Sequence, residues 1–359
     1  MKRVYFPIAV IMTFLFTMTS FPPIAVAAEG FKPMTLKFAE AVPQASWFGK
    51  QRTWWANEVE KRTAGKIKIQ IFWMESLVKW KDMLPAIQSG MADIGLTAST
   101  YHPSNFPLFL MLDNTFNLGE DPVASVLAEI ETIEKEPSLK AEMERERVIM
   151  VCPQVGGSSS LIGTRKCLGS IKDLKGKTIR TYGGARTQYY QYLGANPIFM
   201  PYSDLYEALD RGTIEAIGDM GFLYSDTFKH YEVVKCVYAE NLRAGLATGV
   251  MMNLDLFKKF PRDMQEIFLN LRTEYAVRTA QEIKEYELGI AREWTTQRGV
   301  TIKYPSPEDQ KIIVEAGHKA NEFIIKKQES AGHMAARAVW EYFFNAKKKY
   351  EDQRAKKKG

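Results

Sequence analysis

Residues 261–297 read PRDMQEIFLNLRTEYAVRTAQEIKEYELGIAREWTTQ, a helical pattern with no proline after Pro261 and a single glycine, Gly289. At 1.5 Å per residue this is a rod of about 50 Å. A compact domain of about 150 residues has a radius of gyration near 15 Å, so such a rod is longer than one domain needs. The stretch therefore predicts two lobes with one helix crossing both. On either side of it, short β-branched runs alternate with helical patterns. Strands are expected at 36–39, 67–72, 94–96, 148–151, 178–180, 198–200, 214–217, 233–237 and 248–252. Helices are expected at 47–63, closed by Gly65, at 83–89, closed by Gly90, and at 203–210, ending before Gly212. Alternation of this kind is the pattern of an α/β protein, here in two lobes. No repeat and no low-complexity linker separates the lobes, so strands and the long helix must join them. Lobe I is expected to comprise residues 28–155 and 244–288, and lobe II residues 156–243 and 289–345.

The composition is that of an ordinary globular chain: 359 residues, 46% apolar and 25% charged. The formal net charge of +6 sits at the ends, because Lys2 and Arg3 contribute +2, the segment Lys347–Lys358 contributes +5, and residues 4–346 sum to −1. A nucleic-acid binder concentrates positive charge on its folded face, so this distribution argues against that class. Residues 346–359 read as a solvated basic tail. At the other end, Lys2 and Arg3 precede the apolar run Val4–Phe16, and small residues follow to Ala25-Val26-Ala27, the pattern of a secretory signal with cleavage after Ala27. The mature chain is therefore expected in the periplasm. Its three cysteines, Cys152, Cys167 and Cys236, permit one disulfide at most; wide spacing without a C-x-x-C favours buried small hydrophobes and leaves the pairing open.

Tests for reaction chemistry return little. The four histidines, His102, His230, His318 and His333, are scattered without metal-ligand spacing, so no metal site is expected. Gly176-Lys177-Thr178 resembles the end of a phosphate loop, but the glycine required five positions earlier is Ile171. Gly157-Ser158-Ser159-Ser160 lacks the second glycine of a nucleophile elbow and reads as a polar loop between lobes. No dinucleotide fingerprint follows a strand. A binding protein without cofactor, rather than an enzyme, fits this inventory.

Five segments carry a family resemblance. They are Ile171-Lys-Asp-Leu-Lys-Gly-Lys-Thr-Ile-Arg180, Leu193-Gly-Ala-Asn-Pro197, Met200-Pro-Tyr-Ser-Asp-Leu-Tyr-Glu-Ala-Leu209, Tyr231-Glu-Val-Val-Lys235 and, upstream, Met83-Leu-Pro-Ala-Ile-Gln-Ser-Gly-Met-Ala-Asp-Ile-Gly-Leu96 leading into Tyr101-His-Pro103. Together they resemble the substrate-binding subunits of tripartite ATP-independent periplasmic (TRAP) transporters, the DctP family, over nearly all of residues 34–300. The resemblance implies two α/β lobes about a hinge, a ligand enclosed between them, and delivery of a small carboxylate to membrane permease subunits. It also implies that Arg180 reads the ligand carboxylate and that Tyr202 sets an aromatic ring against the ligand. A guanidinium suits that task because its planar donors meet a carboxylate with two parallel hydrogen bonds.

Two positions depart from the pattern. Where some members place a second arginine this chain has Gly156–Ser160, and where many have asparagine it has Asp219. An aspartate in the cleft would repel a second carboxylate and accept from a hydroxyl or ammonium group, which tilts the ligand towards a monocarboxylate. The alternative is that Asp219 ion-pairs with Arg186. Ligands of open α/β sheets sit beyond the carboxyl ends of strands, which nominates Glu40, Trp47 and Tyr101 in lobe I; Phe222 and Tyr224 are candidate walls in lobe II, and Trp54, Trp55 and Trp73 read as core. A periplasmic enzyme on this scaffold and a sensor docking a receptor remain the alternative functions.

Overall fold

The computed structural model describes residues 31–113, 115–116, 118–119, 121–154, 160–240 and 248–356. The expected signal segment 1–27 and the glycine-rich stretch 156–159 lie outside the described residues. Two sheets form the frame. The first has the order β2-β1-β3-β10-β4, from β1 (Met34–Ala39), β2 (Ile67–Phe72), β3 (Ile94–Ala98), β4 (Val148–Pro153) and β10 (Thr248–Asn253). The second has the order β11-β9-β5-β8-β6-β7, from β5 (Leu161–Thr164), β6 (Thr178–Thr181), β7 (Asn196–Phe199), β8 (Ala216–Met220), β9 (Cys236–Ala239) and β11 (Thr301–Lys303). Most neighbours are parallel, but β10 runs antiparallel between β3 and β4, and β5 antiparallel between β8 and β9. These two reversed strands belong to the crossings, since the chain leaves the first sheet after β4 and returns to it at β10. The central strands β3, β8 and β10 are buried along their whole length, as sheets covered on both faces require. Around them lie α1 (Trp47–Arg62), α2 (Met83–Ser89), α3 (Leu110–Asp113), α4 (Pro122–Lys135), α5 (Pro137–Arg145), α6 (Gly184–Tyr192), α7 (Leu205–Asp210), α8 (Phe222–Thr227), α9 (Leu254–Lys258), α10 (Arg262–Thr296), α11 (Pro307–Ser330) and α12 (Ala336–Lys356).

Local chemistry accounts for the helix boundaries. Ser46 caps α1 by accepting from Gly49 N, and Asp121, Glu136 and Ser306 cap α4, α5 and α11, each followed by a proline whose missing N–H costs nothing there. The long helix α10 spans 35 residues. It packs on α1, α4 and β4 of the first half and on α8 and β11 of the second. Trp55, Phe268, Tyr275, Ile283 and Trp294 lie along this brace in one continuous core.

Three sequence expectations need correction. The basic segment is not a solvated tail, because residues 346–356 complete α12. Its buried seam, Ala336, Val339, Phe343 and Ala346, packs on α4, while Lys349 and Tyr350 reach Glu131 and Arg354 reaches Asp121 at 2.7 Å. Since α11 packs on α6 of the second half, α11 and α12 form a second connection across both sheets. Cys167 and Cys236 form a disulfide, because the chain turns back after β5 onto its antiparallel partner β9; only Cys152 is free, and it is buried. The strand expected at Val233 begins instead at Cys236, with Val233 and Val234 buried in the turn before it.

Closing a loop of 69 residues, the disulfide is worth roughly 2–4 kcal/mol. Reduction should lower the midpoint of thermal unfolding by roughly 4–16 °C, read in melting scans with and without dithiothreitol. An unchanged midpoint would show that the bridge does not stabilise the fold.

Candidate ligand-binding site

Strand β6 delivers Arg180 to the junction of the two halves. Its neighbour Ile179 faces the core, and alternation turns Arg180 to the opposite face of the sheet, where it is fully buried. Nε donates to the Met200 carbonyl at 3.0 Å and Nη1 to the Gly218 carbonyl at 3.3 Å. The second contact depends on glycine, since a Cβ at Gly218 would stand 2.7 Å from the Arg180 carbonyl oxygen and from the Tyr190 ring. The guanidinium carbon lies 4.0 Å from the Tyr182 ring centre and 5.0 Å from that of Tyr202. Nη2 has no partner among the described residues, and no ion pair joins Arg180 to any of their carboxylates. A buried cation held by carbonyls, ring faces and the Tyr182 hydroxyl, with no carboxylate among the described residues, is an incomplete site, because burying a charge without a counter-charge is costly.

Aromatic rings surround this cation. Tyr202 stacks with Tyr182 at 6.1 Å and with His230 at 5.2 Å, and its hydroxyl pairs with Ser225 Oγ at 2.9 Å. Tyr224 of α8 lies 5.4 Å from Tyr202, and from the first half Phe48 at 4.6 Å and Trp80 at 6.1 Å close on its ring. Tyr101 packs edge-on to Trp80 at 5.4 Å and to Phe199 at 6.3 Å. Two cavities of about 640 and 630 Å³ share Lys81, Tyr101 and Pro201 in their walls. One is lined by Tyr182 and Phe199 with Lys81, Lys327 and His333, the other by Trp80, Tyr202 and Phe228 with Lys79. Burial and the charge of Arg180 hold the His230 imidazole down to about 3, so it is neutral at physiological pH, and neither ring nitrogen has a partner among the described residues.

Of the sequence candidates, the structure brings Arg180, Tyr202, Tyr101 and Tyr224 together, whereas Asp219 and Glu40 are held by arginines and Trp47 and Phe222 turn to α10. Asp219 adopts φ +53°, a left-handed conformation that aspartate and asparagine tolerate better than most residues. Its carboxylate accepts from Thr181 Oγ1 at 2.9 Å, Tyr182 N at 3.2 Å and Arg186 at 3.1 Å. The ion pair with Arg186 is thus the arrangement that forms, and the carboxylate is occupied. Glu40 is likewise occupied: Oε1 accepts from Ala41 N at 2.8 Å and Val42 N at 3.3 Å, and Oε2 from Arg52 Nε at 3.2 Å. Burial raises its pKa against the opposing pull of Arg52. Trp47 packs on Tyr286 of α10 at 5.9 Å, and the neighbouring Phe48 is the residue that meets Tyr224. Phe222 also turns away, onto Trp294 of α10 at 5.6 Å. Sequence reading missed Tyr182, Phe48, Trp80, Gln154 and His230; the position of Tyr182, two residues beyond Arg180 where the strand leaves the sheet, was an available signal.

The family model for bacterial extracellular solute-binding proteins, family 7 (DctP), matches residues 38–328. The chain belongs to this family. It is 26% identical to the monocarboxylate 2-oxoacid-binding periplasmic protein of Nostoc sp. over 223 residues, 61% of this chain and 60% of that one. It is 25% identical to the 2,3-diketo-L-gulonate-binding periplasmic protein of Escherichia coli over 159 residues, 44% of this chain and 48% of that one. The aligned stretch therefore spans between about half and three fifths of these relatives. Among solved structures, a TRAP periplasmic solute-binding protein from Desulfovibrio salexigens superposes with a TM-score of 0.72 at 25% identity, covering 89% of this chain and 97% of that one. A TRAP solute-binding protein from Rhodoferax ferrireducens, in complex with copurified benzoate, gives 0.77 at 18% identity over 89% and 99%, a likeness of fold. Family 7 architecture, with two α/β halves and a long helix, is thus the architecture of this chain. No helix among the described residues is long and apolar enough to cross a membrane.

The electrostatics of the site yield a stability test. Arg186→Leu should leave Asp219 buried without its counter-charge and cost about 3–5 kcal/mol. Adding Asp219→Asn, which keeps the left-handed backbone, should recover part of that loss. Denaturant titration of the single and double variants measures both, and a double variant no more stable than Arg186→Leu would show that the ion pair does not set the cost.

Proposed function

We propose that this protein is an exported, periplasmic solute-binding protein that captures a small monocarboxylate between its two lobes and delivers it to a TRAP-type permease. On this reading residues 1–27 are the cleaved signal, the halves built on the two sheets are the lobes, and no cofactor or reaction is involved. The observation that carries it is the state of Arg180, a fully buried guanidinium with one nitrogen unpartnered and no ion pair among the described residues. A ligand carboxylate supplies the missing counter-charge and the missing acceptor together. One carboxylate suffices, because Arg52 and Arg186, the other two arginines of the junction, already face Glu40 and Asp219. The aromatic surroundings favour a ligand with an apolar or flat body and a paucity of charge. The Nostoc relative is named for monocarboxylate 2-oxoacids and the Rhodoferax structure holds benzoate, both of which agree with a single-carboxylate ligand.

Arg180→Lys keeps the charge but cannot make paired coplanar contacts with a carboxylate. Calorimetric titration with whichever monocarboxylate most raises the melting temperature of the wild type should show affinity reduced roughly 30-fold to several thousand-fold. The variant itself should melt close to the wild type. Near-wild-type affinity combined with a lowered melting temperature would instead make Arg180 a structural residue.

A further inference from the structure

The C-terminal end of α11 builds one wall of the larger cavity. Gly332 stands at φ +93°, its N–H donates to the Glu329 carbonyl at 3.0 Å, and the His333 N–H reaches back to the Gln328 carbonyl at 2.9 Å. These are the two bonds of a Schellman motif, whose left-handed position favours glycine. The turn folds His333 back against Gln328, while Ile324, Lys327 and Gln328, three and four residues apart, share one face of the helix. All four line the cavity of about 640 Å³. Across from them stand Lys81, in the turn Trp80–Asp82, and the segment 182–184, where α6 begins. The α6 cap, Gly183, has no side chain to turn over the first amides, so the positive end of that helix belongs to the wall.

Charge in this cavity is one-sided. Lys81, Lys327 and His333 line it, and no acidic residue does so among the described residues. None of these three side chains has a hydrogen-bond or ion-pair partner there. Two acids close by in sequence are already paired, Glu75 with Lys79 at 3.1 Å and Glu329 with Arg337 at 3.4 Å. Gln328 is only 9% exposed, yet its side-chain amide has no partner among the described residues. A polar group so buried ordinarily has one, and this one faces the cavity. Arg180 does not line this space; its guanidinium lies against the ring of Tyr182, and Tyr182 is in the wall.

We propose that this cavity is a second anion site, distinct from Arg180, which takes a phosphate group, either as inorganic phosphate or as the monoester of a small molecule. A planar carboxylate suits one guanidinium fork, whereas lysines acting as point charges, an imidazole and an amide from separate segments suit a tetrahedral oxyanion. A phosphate monoester carries a charge of about −1.5 to −2 at neutral pH, which offsets both lysines. Tyr101, Phe199 and Ile324 in the same wall offer apolar surface to the body of an ester. The inference stands apart from the carboxylate reading of Arg180.

Calorimetric titration of the full-length protein with inorganic phosphate and with phenyl phosphate should show saturable binding of at least one. Tighter phenyl phosphate would mark the monoester as the ligand, and tighter inorganic phosphate the free ion. Lys81→Gln and Lys327→Gln should each weaken binding roughly 5- to 50-fold, and the double variant should abolish it. Both lysines are exposed, so the variants should melt with the wild type. Arg180→Lys should bind phosphate as the wild type does. No saturable binding of either probe, or binding undiminished in the double lysine variant, would overturn the proposal. Phosphate binding lost in Arg180→Lys would place the anion at the carboxylate reader and overturn it as well, leaving the carboxylate reading untouched.

Discussion

The structure turns on how buried arginine is neutralised. Four arginines are almost wholly enclosed: Arg52, Arg180, Arg186 and Arg272. Arg52, Arg186 and Arg272 face the carboxylates of Glu40, Asp219 and Glu134, and Arg180 faces none among the described residues, being held by carbonyls, ring faces and the Tyr182 hydroxyl. The cost of removing a guanidinium from water is several kcal/mol when no counter-charge repays it. A fold that carries such a charge at the junction of its halves is completed by something from outside, and the chemistry of that something follows from the group left unpartnered. The neighbouring ion pairs matter as much as the open arginine, because they remove from the site both the second cation a dicarboxylate needs and the free acid an ammonium needs.

The frame around this charge explains how two halves can share one ligand. Strands β10 and β5, reversed within otherwise parallel sheets, mark where the chain crosses between halves, and α10 runs along both. The hairpin of α11 and α12 adds a second brace on another side, with its elbow at Gln328 and His333 lining the cavity that Tyr182 and Phe199 also line. The aromatic contacts between Phe48, Trp80 and Tyr224 close the junction, and the helices that carry Phe48 and Tyr224 both rest on α10.

Much of the fold was legible because it was written in local signals. Glycines in left-handed positions ended α1 and α2, and the absence of proline after Pro261 revealed α10. What escaped was encoded by pairing across distance. The segment after Lys347 was read by its charge, whereas the a/d-like spacing of Ala336, Val339, Phe343 and Ala346 and the acids Glu131 and Asp121 on α4 decide its place. No spacing along the chain shows that the turn after β5 brings Cys167 onto β9. In the site, Arg180 and Tyr202 were legible through family resemblance. Trp47 was one residue off, since the helical phase of α1 turns Phe48 to Tyr224 and Trp47 to α10. The fate of Glu40 and Asp219 depended on Arg52 and Arg186, partners 12 and 33 residues away in sequence, and so on tertiary geometry rather than on motif.

Whether a ligand carboxylate completes Arg180 is decided by a crystal structure of the protein with a bound monocarboxylate. Both carboxylate oxygens are expected within hydrogen-bonding distance of the Arg180 guanidinium, with Nη2 among the donors, and the ligand body against Tyr182 and Tyr202. A complex in which the acid lies elsewhere, while Arg180 Nη2 is held by a protein oxygen, would contradict it.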